Sequence, residues 1–130
     1  MNWVSAQDVI SFHDRILQRL PGVRGMPDPD RANAIVYRVQ NRCHYEGITD
    51  IFELAATYWV AVARGHIFND GNKRTAFFIT MTFLHRNGIA IRDNDTMLEN
   101  LTVAAATGEQ TVAQLAQHLR ALAGNTALAG

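Results

Sequence analysis

The chain is short of several things that would otherwise direct its reading. It has one cysteine, Cys43, so no internal disulfide can form, and a reducing cytosol is the expected home. Its formal net charge is zero, 12 basic against 12 acidic side chains, which excludes an overall polybasic binder of nucleic acid. A single lysine, Lys73, stands beside eleven arginines. From Met1 to Ile10 no basic segment leads into an apolar run, which argues against secretion. The longest nearly apolar stretch, Ile51 to Ala63, carries Glu53 and Thr57 and is too short to span a bilayer. Repeats, linkers and low-complexity tracts are missing too. Hydrophobic residues are 48% and charged residues 18% of the 130, which excludes disorder. One domain of this length buries roughly 68–70% of its unfolded surface and needs no metal or disulfide staple.

What is present is helical periodicity. Ser5 with Asp8 forms a capping box with aspartate in the glutamate slot, and Val9, Phe12, Ile16 and Leu20 follow on one stripe. Pro21-Gly22 stops that helix, and a loop through Pro27 and Pro29 reaches Asp28 or Asp30, either of which caps a second one carrying Ile35, Val36, Val39 and Cys43. Thr49 or Asp50 caps a third helix, from Ile51 to about Arg64; it is apolar on most sides and therefore central. Gly65 ends it. A fourth runs from about Asn72 to Arg86 and stops at Asn87-Gly88. Ile89 to Arg92 alternates weakly and reads as extended. Asp93 to Asp95 caps a fifth helix with Met97, Leu98, Leu101 and Ala104, ending near Gly108. Thr111 and Gln114 box the start of a sixth, with Leu115, Leu119 and Leu122 on one side. The expectation is an all-α, single-domain six-helix bundle over residues 1–124, with a frayed tail at 125–130. Tyr58 and Trp59 belong to its core, and Cys43 is a packed thiol. His13, His44, His85 and His118 are too scattered for a metal site and read as surface or partly buried residues.

One segment departs from this structural logic: His66-Ile67-Phe68-Asn69-Asp70-Gly71-Asn72-Lys73-Arg74. It feeds a loop into a helix N-terminus, where N–H groups and the positive end of the dipole favour anions. Gly71 permits the unusual backbone angles such a cradle needs. Asn72, Lys73 and Arg74 add donors and two positive charges at an end where stability alone calls for acids. A local rule broken in this way marks a functional site. His66 is the side chain best suited to proton abstraction near neutral pH, and Asp70 is a hard oxygen ligand of the kind that holds Mg²⁺ beside phosphates. A base, a metal carboxylate and phosphate donors within nine residues compose a phosphoryl-transfer site. The bland alternatives are a polar turn for the segment and a helix cap for Asp70.

The spacing His66-x-Phe68-x-Asp70-Gly71-Asn72-x-Arg74 resembles the signature of the Fic/Doc family, and Lys73 points to its Doc branch. The likeness extends through Ile48 to Glu53, Ala55, Thr57-Tyr58 and Ala63-Arg64-Gly65, then Phe83-Leu84, Arg86-Asn87-Gly88, Leu101-Thr102-Val103 and Ala105 to Glu109, which is nearly the whole chain. Two positions depart from the wider Fic pattern. Typical Fic enzymes, which transfer AMP, have glycine where Lys73 stands and a second arginine where Phe77 stands. Lys73 fills space their diphosphate occupies, and Phe77 cannot replace a guanidinium.

The resemblance to the Doc branch therefore implies a toxin of a toxin–antitoxin module, using ATP and Mg²⁺. It implies that the γ-phosphoryl group passes to a threonine hydroxyl of elongation factor Tu, halting protein synthesis in the cytoplasm. Carried over by position, His66 is the base and Asp70 organises the metal or phosphates. Asn72, Lys73 and Arg74 bind phosphate oxygens with backbone N–H groups of Gly71 to Lys73, and Phe68 pins the loop to the core. The inhibitory helix of many Fic proteins, with Ser or Thr and then Glu at fixed spacing, has no match. In Thr96-Met97-Leu98-Glu99-Asn100 the glutamate comes one residue early, and Glu46-Gly47 is preceded at the required spacing by Arg42. Inhibition is then expected from a Phd-type antitoxin, whose C-terminal segment folds as a helix into an exposed apolar strip. Neither a membrane nor nucleic acid is an expected partner. An AMP-transferring Fic enzyme and a non-enzymatic anion-binding helical module are the competing readings.

Overall fold

The computed structural model describes residues 1–19, 29–65, 71–92 and 95–129. Within them the chain forms α1 (Ala6–Arg19), α2 (Pro29–His44), α3 (Ile51–Arg64), α4 (Asn72–Arg86), α5 (Asp95–Thr107) and α6 (Val112–Ala129). The fold is all-α, with no strand among the described residues. α3 lies at the centre, packed against α2, α4, α5 and α6, while α1 closes over α2 and α4. The sequence explains that position, because nine residues of α3 are buried, from Leu54 to Ala63 with only Val60 partly open. Tyr58 and Trp59 are fully buried there, and Phe83, Ile79 and Leu84 of α4 face them. Burying a large apolar side chain is worth about 1.5–3 kcal/mol, so α3 is the main source of cohesion.

The starts of α1, α3 and α6 are closed by side chains. In α1 the Ser5 amide donates to Asp8 Oδ2 at 2.9 Å and the Asp8 amide to Ser5 Oγ at 3.1 Å. Asp50, not Thr49, caps α3, accepting from the amides of Phe52 at 2.8 Å and Glu53 at 3.4 Å. Its other oxygen pairs with Arg120 of α6, whose guanidinium lies over the Phe52 ring. Thr111 and Gln114 form the expected box on α6, with amide bonds of 2.8 and 3.2 Å.

The N-terminal segment is tied down from two sides. The buried Tyr58 hydroxyl donates to the Val4 carbonyl at 2.9 Å and accepts from the Val4 amide at 3.2 Å. Burial pushes that phenol up to about 12. Arg86 donates to Asp8 at 2.9 Å and holds its carboxyl down at about 2, against an ordinary value of 3.8.

Some expectations are corrected. Asp30 lies inside the first turn of α2, behind Pro29, and so does not cap it. His13 is buried rather than surface or partly buried, at 1% exposure. Ile89 to Arg92 connects α4 to α5 outside any helix: Ile89 and Ile91 pack on the core, and the Arg92 amide reaches the Leu122 carbonyl at 3.3 Å, which leaves the expectation of an extended segment uncorrected. Leu20, Pro21-Gly22, Pro27, Asp28 and Asp93 lie outside the described residues.

Candidate active site

The segment singled out in the sequence begins where α3 ends. Gly65 caps α3 in an ordinary right-handed conformation, φ −79° and ψ −10°. Its lack of a side chain is required by crowding instead, since a Cβ there would collide with Ile35 Cδ1 and the Ala61 carbonyl. Arg31 of α2 donates to the Gly65 carbonyl at 3.5 Å, so α2 both packs on this residue and bonds to it. His66, Phe68 and Asp70 lie outside the described residues. The structure resumes at Gly71.

Gly71 is the N-cap of α4 and takes the left-handed conformation, φ 80° and ψ 11°, that a side chain would disfavour. Its carbonyl accepts the first bond of the helix, from the Thr75 amide at 2.9 Å. The first turn contains no acidic residue. Thr75 and Ala76 turn inward and are buried, whereas Lys73 and Arg74 are exposed. Neither cation is in an ion pair among the described residues. This end of α4 therefore concentrates positive charge from backbone and side chains together, with no carboxylate of its own to neutralise it. An anion with several oxygens is the chemical complement of such an end.

Beside the two cations a cleft of about 460 Å³ opens between α4 and α5. Lys73 and Arg74 stand with Phe77, Phe78, Glu99, Thr102 and Val103 around it. The Phe77 and Phe78 rings meet edge to face with centroids 5.5 Å apart. Thr102 is held in place from within: its hydroxyl accepts from Trp59 Nε1 at 2.9 Å and donates to the Leu98 carbonyl at 2.8 Å. The α5 wall is thus fixed to the central helix. Sequence reasoning treated Phe77 as a departure from the wider Fic pattern and Glu99 only as part of a failed inhibitory motif. That these residues share a cleft with Lys73 follows from the packing of α5 on α4, which no local pattern reveals.

A model of the Fic/DOC family matches residues 3–84. The chain belongs to the Fic/DOC family. The match takes in α1 to α3, the segment 66–71 and α4 up to Leu84, and ends before α5. The chain is also 52% identical over 125 residues to the protein kinase doc of Escherichia phage P1, covering 96% of this chain and 98% of that protein. For a member of this family, the left-handed Gly71, Asn72, Lys73 and Arg74 lie where its loop hands over to the helix. The described residues contain no group of three or more His, Cys, Asp or Glu able to hold a metal ion. No helix among the described residues is long and apolar enough to cross a membrane.

Proposed function

We propose that this protein is a toxin kinase, transferring the γ-phosphoryl group of ATP to a threonine hydroxyl of elongation factor Tu. The observation that carries the reading is the first turn of α4: a left-handed glycine cap, no acid, and two cations outside any ion pair among the described residues. The 52% identity to a protein kinase supports it from the other side.

In this reading the phosphates of ATP lie on the Gly71 to Lys73 backbone, with Asn72, Lys73 and Arg74 donating to their oxygens. Asp70 holds Mg²⁺, which when bound neutralises part of the phosphate charge. His66 accepts the proton of the threonine hydroxyl. The hydroxyl oxygen forms a bond to the γ-phosphorus, the bond from that phosphorus to the bridging oxygen breaks, and ADP leaves. Positioning and charge account for most of the rate in such chemistry. Phosphoryl transfer is favoured over AMP transfer because Phe77, one turn on from Arg74, sets an aromatic ring where a second phosphate-gripping guanidinium would be needed.

Regulation follows the same resemblance. An apolar groove of about 490 Å³ runs between the N-terminal segment and α2, bordered by Trp3, Ala6, Val36 and Tyr37, and Tyr37 is 61% exposed. It suits the amphipathic helix of a Phd-type antitoxin segment. Since the target works in the cytoplasm, the reading sets the protein there too.

The test is intact-mass spectrometry of elongation factor Tu after incubation with the protein, ATP and Mg²⁺, beside a His66→Ala control. One added phosphoryl group, absent from the control, is the expected result. An added AMP overturns the reading of Lys73 and Phe77, and an unchanged mass overturns the assigned target.

A further inference from the structure

Helix α2 separates two grooves of opposite character. Its Val36 and Tyr37 side faces the apolar groove beside Trp3. Its other side presents Arg31, Ile35 and Arg38, at the spacing that puts them on one stripe, to a second cleft of about 330 Å³ against α3. Across that cleft stand Val60, Ala61 and Arg64. Three arginines therefore line the cleft together with aliphatic side chains, and no acidic residue lines it. Arg38 and Arg64 are exposed and have no ion pair or hydrogen bond among the described residues. Arg86 with Asp8, Arg120 with Asp50 and Arg42 with the Thr57 hydroxyl show the contrasting case of an arginine with a side-chain partner. In a chain of zero net charge, this is a local excess of one sign.

We infer that the cleft between α2 and α3 is a docking site for an acidic segment of the acceptor protein, one that sets carboxylates around an inserted apolar side chain. The inference rests on the kinase reading for the identity of the partner, and on the cleft for the chemistry. Charge complementarity selects carboxylates for Arg38 and Arg64. The Ile35, Val60 and Ala61 floor selects a polypeptide over nucleic acid, since it offers an aliphatic socket and no aromatic face on which a base could stack. Position selects the acceptor. The cleft ends at Gly65, whose carbonyl Arg31 bonds and which directly precedes His66 in sequence. A segment held here is anchored beside Gly65, the residue that directly precedes the proposed base His66 in sequence, and the hydroxyl to be phosphorylated is delivered from the same protein.

The experiment measures binding of the fluorescently labelled full chain to elongation factor Tu by anisotropy, without nucleotide, for the parent protein and for Arg38→Glu and Arg38→Gln. A twelve-residue peptide of alternating Glu and Leu, its Lys and Leu counterpart and a single-stranded RNA of equal charge serve as competitors. Reversing one charge of the three should weaken acceptor binding about ten- to hundredfold and neutralising it by less, with both losses shrinking at high salt. The acidic peptide should displace the acceptor, and the basic peptide should not. A circular dichroism melt checks that both variants fold, and the exposed position of Arg38 predicts that they do. Equal acceptor binding by all three proteins overturns the proposal, as does an acidic peptide that fails to compete. RNA that displaces the acceptor better than the peptide, and loses that advantage in Arg38→Glu, overturns it in favour of a nucleic-acid surface. Because nucleotide is absent, acceptor binding through the arginines without subsequent phosphorylation refutes the kinase reading alone. Phosphorylation with an undiminished affinity for acceptor in Arg38→Glu refutes the cleft alone.

Discussion

Two helix starts in this molecule face the same electrostatic problem and solve it in opposite ways. At α3, Asp50 accepts from two amides, Glu53 adds a second negative charge in the first turn, and Arg120 crosses from α6 to the far side of the Asp50 carboxylate. The Asp50 charge is answered by Arg120, and that of Glu53 by the helix dipole. At α4 the cap is a left-handed glycine, the first turn has no acid, and the adjacent side chains are Lys73 and Arg74. The first arrangement lowers the free energy of the folded chain. The second raises it slightly and leaves a positive field pointing outward, which is useful only to something negative that arrives from solution. Side by side, they separate what the fold needs from what the function needs.

The largest effect that sharpens this contrast lies in activity. Replacing His66 by Ala should lower phosphoryl transfer by roughly 10²–10⁴-fold, the usual range for loss of a general base, in a protein whose circular dichroism is unchanged. Arg74→Gln should lower transfer by about 10²–10³-fold through loss of one charge-stabilising donor, again with little change in melting temperature. A variant that melted earlier and kept its rate would move Arg74 from the site to the scaffold.

At the α3 start the same kind of substitution should do the reverse. Asp50→Ala removes a cap and leaves Arg120 without its carboxylate, which should cost about 1–2 kcal/mol of stability and leave the rate per folded molecule intact. For a domain of this size that corresponds to a melting temperature lower by about 3–8 °C. A double-mutant cycle with Arg120→Ala would apportion the loss between cap and ion pair.

How much of this contrast was legible beforehand depended on how local each determinant was. The limits of α3 and α4 follow from signals a few residues long: an aspartate before an apolar run, a glycine or Asn-Gly after it. The capping boxes at Ser5 and Thr111 are of the same kind, and so is the conflict of Lys73 and Arg74 with the helix dipole. Contacts that join distant parts of the chain left no such mark. Nothing around Asp50 announces Arg120, nothing around Thr102 announces Trp59, and Tyr58 gives no sign that its hydroxyl will hold Val4. The α4–α5 cleft and the α2–α3 cleft are invisible for the same reason, since each is made by two helices and belongs to neither. Gly65 shows a correct position whose reason lies elsewhere in the chain: it ends α3, and the close approach of Ile35 demands the glycine.

A smaller effect concerns the carboxylate that α1 devotes to its own start. Asp8 titrates at about 2 in the folded protein, because Arg86 donates to it, against 3.8 for an ordinary aspartate. The folded value is depressed, so the contribution is complete above about pH 4 and is lost as the pH falls toward 2. Both partners are about one-third exposed, which screens the pair and limits its worth to about 1 kcal/mol. Denaturant titrations at pH 7 and at pH 2.5 should show this fraction of the acid-induced loss disappear in Asp8→Asn. An unaltered loss would show that Asp8 is not among the carboxylates responsible for acid unfolding.

The smallest effect is also the one that most directly sets the two helix starts against each other. Lys73→Glu gives α4 the negative first turn that α3 already has. If the positive field there exists for a ligand and not for the fold, the exchange should stabilise the free protein, by about 0.3–1 kcal/mol at low salt, since a charge that opposed the dipole now favours it. The gain should fade above roughly 0.5 M salt, where the Debye length falls to a few ångströms. The stabilised protein should lose phosphoryl transfer, and ATP should no longer raise its melting temperature as it does that of the parent. A Lys73→Glu protein that melts earlier than the parent would mean that the lysine has a structural partner, and the two helix starts would then differ in detail and not in purpose.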